Sequence, residues 1–143
     1  MPVDTTPTRR PTRVLVVEDE PGMRLALTAV VDSEPSLALA GTASDADGAI
    51  EAAGRLKPDV CLLDVRMPGG GGAHATRGIG EVSPGTRIVA LSGLQDRDTV
   101  LGMAEAGAVG YLVKGATPSE LTDAIHAAAR GEQRFPAHVR VSD

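Results

Sequence analysis

A chain of 143 residues with 42% hydrophobic composition is long enough for one domain with its own core. Its net charge of -5 leaves no basic footprint, and Tyr111 and Phe135 are its only aromatic residues, which together argue against direct nucleic-acid binding by this segment. No apolar stretch approaches ~20 residues and no apolar leader core opens the chain, so neither a membrane span nor secretion is indicated and a cytoplasmic location is expected.

In chain order, residues 1–12 mix three prolines with Thr and Arg, show no apolar periodicity and read as a disordered arm. From residue 13 to 130 apolar runs alternate with segments of helical period, the pattern of an α/β fold with a doubly wound parallel sheet covered on both faces. Strands are predicted near 14–18, 37–42, 59–64, 87–92 and 109–113. The second of these, Leu37-Ala38-Leu39-Ala40, fits a helix equally well by composition. Met23, Ala26, Leu27, Val30 and Val31 mark the first helix by i, i+3, i+4, i+7, i+8 spacing, and Ala46, Ala49, Ile50 and Ala53 the second. The third, after Gly72, is expected to be short or irregular because Gly78 and Gly80 interrupt it. The last begins with Thr117-Pro118-Ser119-Glu120, an N-cap, a first-turn proline and a capping-box Glu, and stops at Gly131. Residues 131–143 read as a tail or the start of a linker.

The chemistry gathers at strand ends. Asp64 closes Val60-Cys61-Leu62-Leu63, and Glu18-Asp19-Glu20 follows Val14-Leu15-Val16-Val17. Ligand sites in open α/β sheets lie at the carboxyl ends of the strands, so these acids are expected to share one pocket. Crowded carboxylates repel one another unless a cation compensates, and an all-oxygen set suits a hard ion such as Mg2+. Lys114, one of two lysines among 14 basic residues, follows Tyr111-Leu112-Val113, and a compact ammonium at a strand end can serve as a point-charge partner for Asp64. Ser92 ends the fourth strand. Cys61 is the only cysteine and reads as core, while His74, His126 and His138 show no ligand spacing and read as helix surface or tail.

Val14 to Glu20, Asp64-Val65-Arg66-Met67-Pro68, Ala90-Leu91-Ser92-Gly93 and Gly110-Tyr111-Leu112-Val113-Lys114 resemble, in order and spacing, the receiver domain of bacterial response regulators. The resemblance covers about residues 13 to 130. It implies a flavodoxin-like fold with strand order 2-1-3-4-5. It also implies that Asp64 accepts a phosphoryl group from a sensor histidine kinase, with Mg2+ held by Asp19, Asp64, Glu18 through a water, and the backbone carbonyl of Arg66. Lys114 and Ser92 would contact the phosphoryl oxygens, Tyr111 would be the aromatic switch, and Arg66 and Leu94 would tune hydrolysis. Such a domain is an acceptor rather than a turnover enzyme. Its readout would involve the fourth helix, fifth strand and fifth helix, with a homodimer possible.

The stretch from Gly110 to Glu132 is most similar to receivers that precede a LuxR-type helix-turn-helix domain, which implies transcription regulation through a domain beyond this segment. The alternative is a stand-alone receiver acting by protein contact. Gly69-Gly70-Gly71-Gly72 departs from the family pattern, which usually has Asp or Asn where Gly71 stands, and leaves open a degenerate receiver that binds partners without phosphorylation. A Mg2+-dependent phosphatase with an Asp nucleophile would need a second acid at the position of Arg66. The receiver reading requires Asp19, Asp64, Ser92 and Lys114 to converge, and Asp64 not to be sealed away from solvent.

Overall fold

The computed structural model describes residues 10–141. The expected N-terminal arm lies outside them up to residue 9, and Thr12 already belongs to a strand. The elements alternate as β1 (Thr12–Val17), α1 (Pro21–Ser33), β2 (Leu37–Ala43), α2 (Ala46–Leu56), β3 (Val60–Asp64), α3 (Gly71–Val82), β4 (Arg87–Ser92), α4 (Arg97–Ala106), β5 (Gly110–Val113) and α5 (Pro118–Ala129). All neighbouring strands pair in parallel, in the order β2-β1-β3-β4-β5. None of the described helices is long and apolar enough to cross a membrane.

Side-chain alternation along the strands sorts the core into two layers. Leu15, Val17, Cys61, Leu63, Ile88 and Ala90 face α2, α3 and α4, whereas Val14, Val16, Val60, Leu62, Val89 and Leu91 face α1 and α5. Small residues on α2 (Ala46, Ala49, Ala52, Ala53) bring that helix close to the sheet, which is how a chain with two aromatics fills its interior. Cys61 is core, as its place in the strand implied, and burial pushes its thiol pKa up.

The ambiguous second segment is a strand with a bulge: Val14 pairs with Leu39 but Leu15 pairs with Gly41, so Ala40 is the extra residue. The capping box of α5 forms as expected, Thr117 Oγ accepting from Glu120 N at 3.1 Å and Glu120 Oε1 from Thr117 N at 3.0 Å. At its other end Gly131 N–H bonds Ala128 O and Glu132 N–H bonds Ala127 O, with Gly131 at φ +81°.

The expectation of a short or irregular third helix is corrected: α3 runs for 12 residues. Two of its glycines, Gly72 and Gly78, are packing residues. A Cβ at Gly78 would stand 2.3 Å from Ile50 Cδ1, so glycine there lets α3 lie against α2. Gly69, Gly70 and Gly71 all have positive φ, a geometry that L side chains rarely adopt, and they carry the chain from β3 into a helix with no side-chain cap. A Cβ at Gly72 would meet Val65 Cα at 2.8 Å and Val65 O at 3.1 Å, backbone atoms that cannot swing aside. Gly72→Ala is expected to destabilise the fold by about 1–3 kcal/mol in urea denaturation through overpacking. Gly80→Ala on the same helix, where a Cβ would have no heavy atom within 4 Å, should be neutral or stabilising by up to ~1 kcal/mol. Equal effects at both positions would show that helix propensity and not packing governs α3.

Two of the three histidines are tied into the fold more firmly than a surface or tail reading implies. His126 Nε2 lies 2.8 Å from Ser36 Oγ, which itself donates to Glu34, and so fastens α5 to the turn before β2. His138 bonds Gln95 O in the loop before α4.

Candidate functional site

Register alone places the site. Val17 pairs with Leu63, Asp64 with Leu91, and Ser92 with Val113, so the residues just past β1 and β5 stand beside the last residues of β3 and β4. Glu18, Asp19 and Asp64 offer carboxylate oxygens that all lie within 4.8 Å of one another. Lys114 Nζ is 3.3 Å from Glu18 Oε1 and 3.3 Å from Asp64 Oδ2. Arg66 N–H donates to Asp64 Oδ1 at 3.2 Å, which keeps the Arg66 backbone beside the acid.

The acids are not equivalent. Asp19 is exposed, Asp64 is 3% exposed and Glu18 is fully buried. Asp64 thus keeps only a small opening to solvent: its carboxylate forms the floor of the site, because β3 is the central strand and buried on both faces. Glu20, counted by sequence with the acidic cluster, turns away to cap α1, accepting from Gly22 N at 2.9 Å and Met23 N at 2.5 Å. Those bonds hold its pKa below the ordinary value.

Glu18 Oε2 accepts from Glu20 N at 3.1 Å, but Oε1 has no hydrogen-bond partner; it meets Lys114 only as an ion pair. Burial raises the Glu18 pKa, and its contacts with Asp19 and Asp64 add to the rise. Partial burial works against the charge of Lys114, yet Asp64 and then Glu18 outweigh it and hold the ammonium above its ordinary value.

The sign of the resulting pH dependence is fixed. A carboxyl whose pKa is raised by folding contributes stability below its unfolded value, here 4.5, and loses it as pH rises through the folded value. At neutral pH without a divalent cation, Glu18→Gln is therefore expected to melt higher than the unaltered chain, by a few degrees for about 1 kcal/mol. The gap should close as pH falls toward 4.5, and a variant less stable at pH 7 would show that the Lys114 pair outweighs the buried charge.

Ser92 is buried, and its hydroxyl accepts from Leu94 N at 3.0 Å rather than bonding Asp64. The strand pairing still holds it at the site, since its carbonyl accepts from Lys114 N at 2.8 Å. Tyr111 is 4% exposed and its hydroxyl donates to Leu94 O; burial raises its pKa, with the charge of Asp96 adding to it. Sequence reading missed Arg24, whose Nη1 donates to the carbonyls of Glu18 at 2.9 Å and Asp19 at 3.5 Å and so clamps the acidic loop from the first turn of α1. Its position one turn past the acids was the available signal.

A family model described as the response regulator receiver domain matches residues 14–126. The transcriptional regulatory protein YxjL of Bacillus subtilis is 41% identical over 123 residues, which make up 86% of this chain and 56% of that protein. LiaR of the same organism, also named a transcriptional regulatory protein, is 36% identical over 127 residues, 89% of this chain and 60% of that one. The chain thus spans less than two thirds of these relatives. Among solved structures, a LuxR-family two-component response regulator from Aurantimonas superposes with a TM-score of 0.83 at 31% identity, covering 90% of this chain and 92% of that one. The response regulator domain of Thermotoga maritima CheB gives 0.78 at 32% identity over 85% of this chain and 98% of that one. With the family match running from the first strand into the last helix, the chain belongs to the receiver domains of two-component response regulators, of the LuxR and NarL type.

Proposed function

We propose that Asp64 accepts a phosphoryl group from a phosphohistidine of a sensor histidine kinase, and that the carboxylate cluster holds Mg2+ while it does so. The observation that carries this reading is the pairing of a nearly buried Asp64 with Lys114 beside a buried Glu18 oxygen that lacks a hydrogen-bond partner. A buried carboxylate oxygen without a hydrogen bond is costly to keep, and the Lys114 ion pair is what meets it among the described residues. The donor set is all oxygen and fits a hard ion: Asp19 and Asp64 would hold it directly, Glu18 through a water, and Arg66 by its carbonyl. Bound there, Mg2+ supplies charge neutralisation as a Lewis acid.

A carboxylate oxygen of Asp64 forms a bond to phosphorus as the phosphorus–nitrogen bond of the phosphohistidine breaks, and the departing imidazole takes up a proton. Lys114, held charged by the neighbouring acids, meets the new phosphoryl oxygens, and Ser92 donates its hydroxyl to them. Tyr111 follows the loop that Ser92 leads. The reaction modifies the protein once per domain, so the domain is an acceptor and not a turnover enzyme. The relatives' names support transcription regulation as the output of the longer protein, through a DNA-binding domain outside this segment.

The test is incubation of the full chain with acetyl phosphate, with and without Mg2+, read by intact mass. A single phosphoryl adduct that needs Mg2+ and is released by hydroxylamine, as an acyl phosphate is, is the expected result. An unmodified chain would favour a receiver that signals by contact alone, and multiple turnover of phosphate esters would favour a phosphatase.

A further inference from the structure

β5 is an edge strand of the sheet, and an unpaired edge is an open template for another segment. Here the edge is covered by the chain itself. After α5 the backbone turns at Gly131 and runs beside β5 in parallel: Arg134 N–H donates to Val109 O at 2.9 Å, and Tyr111 N–H donates to Arg134 O at 3.0 Å. Val139 is 5% exposed and joins the core layer of Val100, Met103, Ala108 and Tyr111, with Phe135 and Val141 packed against it. His138 Nε2 donates to Gln95 O at 2.7 Å.

These contacts converge on the loop between β4 and α4. Leu94 N–H donates to Ser92 Oγ, Leu94 O accepts from Tyr111, and Gln95 O accepts from His138. One loop conformation makes all three bonds, and the strap formed by residues 132–141 supplies one of them while packing against the tyrosine that supplies another. A phosphoryl group on Asp64 takes the Ser92 hydroxyl as a donor, and drawing Oγ toward it stretches the bond that Leu94 N–H makes to the same oxygen. The carbonyls of Leu94 and Gln95, which Tyr111 and His138 hold, belong to the same short loop and would be displaced with it.

We propose that the surface formed by α4 and the β5 edge is a strand-addition site occupied by the chain's own segment 132–141, and that a phosphoryl group at Asp64 loosens this strap. The coupling rests on Asp64 being the phosphoacceptor. Linkage makes it reciprocal: whatever detaches the strap must strengthen binding at the phosphorylation site by the same factor.

Amide hydrogen exchange of the full chain, with and without beryllofluoride and Mg2+, tests the first half. The Tyr111 and Arg134 amides should be protected in the free protein and exchange at least about fivefold faster once the phosphoryl mimic is bound, the lower end of ordinary allosteric couplings. Val139→Asp and His138→Ala test the second half by fluorine NMR titration of beryllofluoride. Each should bind it more tightly than the unaltered chain, Val139→Asp by about fivefold or more. His138 is exposed, so its replacement reports on the loop bond without unfolding the domain. Unprotected amides in the free protein, or beryllofluoride bound with exchange and affinities unchanged, would overturn the strap alone. No beryllofluoride binding at all would overturn the reading of Asp64 and the coupling with it.

Discussion

Asp64→Asn is expected to abolish the phosphoryl adduct while changing the stability of the fold by little. An amide is nearly the same size as the carboxylate and can still accept from Arg66 N–H, but it offers no anionic oxygen to attack phosphorus. Removing one charge from a cluster whose oxygens lie within 4.8 Å of one another relieves repulsion with Glu18, against the loss of the ion pair to Lys114. The two effects oppose, and the net change in stability should lie within about 1 kcal/mol at neutral pH. Intact mass after acetyl phosphate treatment reads the first outcome and thermal melting the second. An adduct that persists in the variant, on Asp19 or Glu18, would sink the assignment of Asp64.

The second large effect is expected from Lys114→Met, which keeps the length of the side chain and removes its charge. Removing one partner of a fully buried ion pair costs about 3–5 kcal/mol. Lys114 retains 31% exposure of its side chain, and Glu18 can take up a proton, so a loss of about 1–2 kcal/mol at pH 7 without divalent cation is expected instead. A lysine whose pKa is raised by folding contributes stability that is present below 10.5 and lost as pH rises through the folded value, so the variant and the unaltered chain should converge above that range. They should also draw closer at acid pH, where protonation of the carboxylates leaves Lys114 nothing to pair with.

Function should suffer more than stability. Without the ammonium, a phosphoryl group on Asp64 has one fewer positive neighbour, and the loop carrying Ser92 loses part of its pull toward the site. Phosphorylated Lys114→Met should therefore fail to give the amide-exchange change over residues 93–96 that the unaltered chain gives. A variant that responds normally, or one that has simply unfolded by circular dichroism, would count against Lys114 as a phosphoryl contact.

The parallel sheet and the cluster at its carboxyl edge were legible because most of the apolar runs are short, evenly spaced and closed by a polar residue, whereas the strand order followed from the family resemblance and the second strand was ambiguous by composition. Asp64, Ser92 and Lys114 stand where that rule puts them, at or just past the ends of β3, β4 and β5. The rule failed where packing overrides propensity. Gly78 looks like a helix breaker in one dimension and proves to be the contact point of α3 with Ile50 of α2. Glu20 looks like a third pocket acid and instead caps α1, because backbone N–H groups at a helix start compete for any nearby carboxylate.

Order along the chain thus determined the α/β architecture and the identity of the acids, since hydrophobic period and strand-end chemistry are local properties. Only the tertiary structure decided that Asp64 lies on the floor of the site, that one Glu18 oxygen is left without a hydrogen bond, that Arg24 clamps the acidic loop, and that residues 132–141 cover the β5 edge. Burial and pairing depend on which distant segments meet, and no spacing within a single run encodes that.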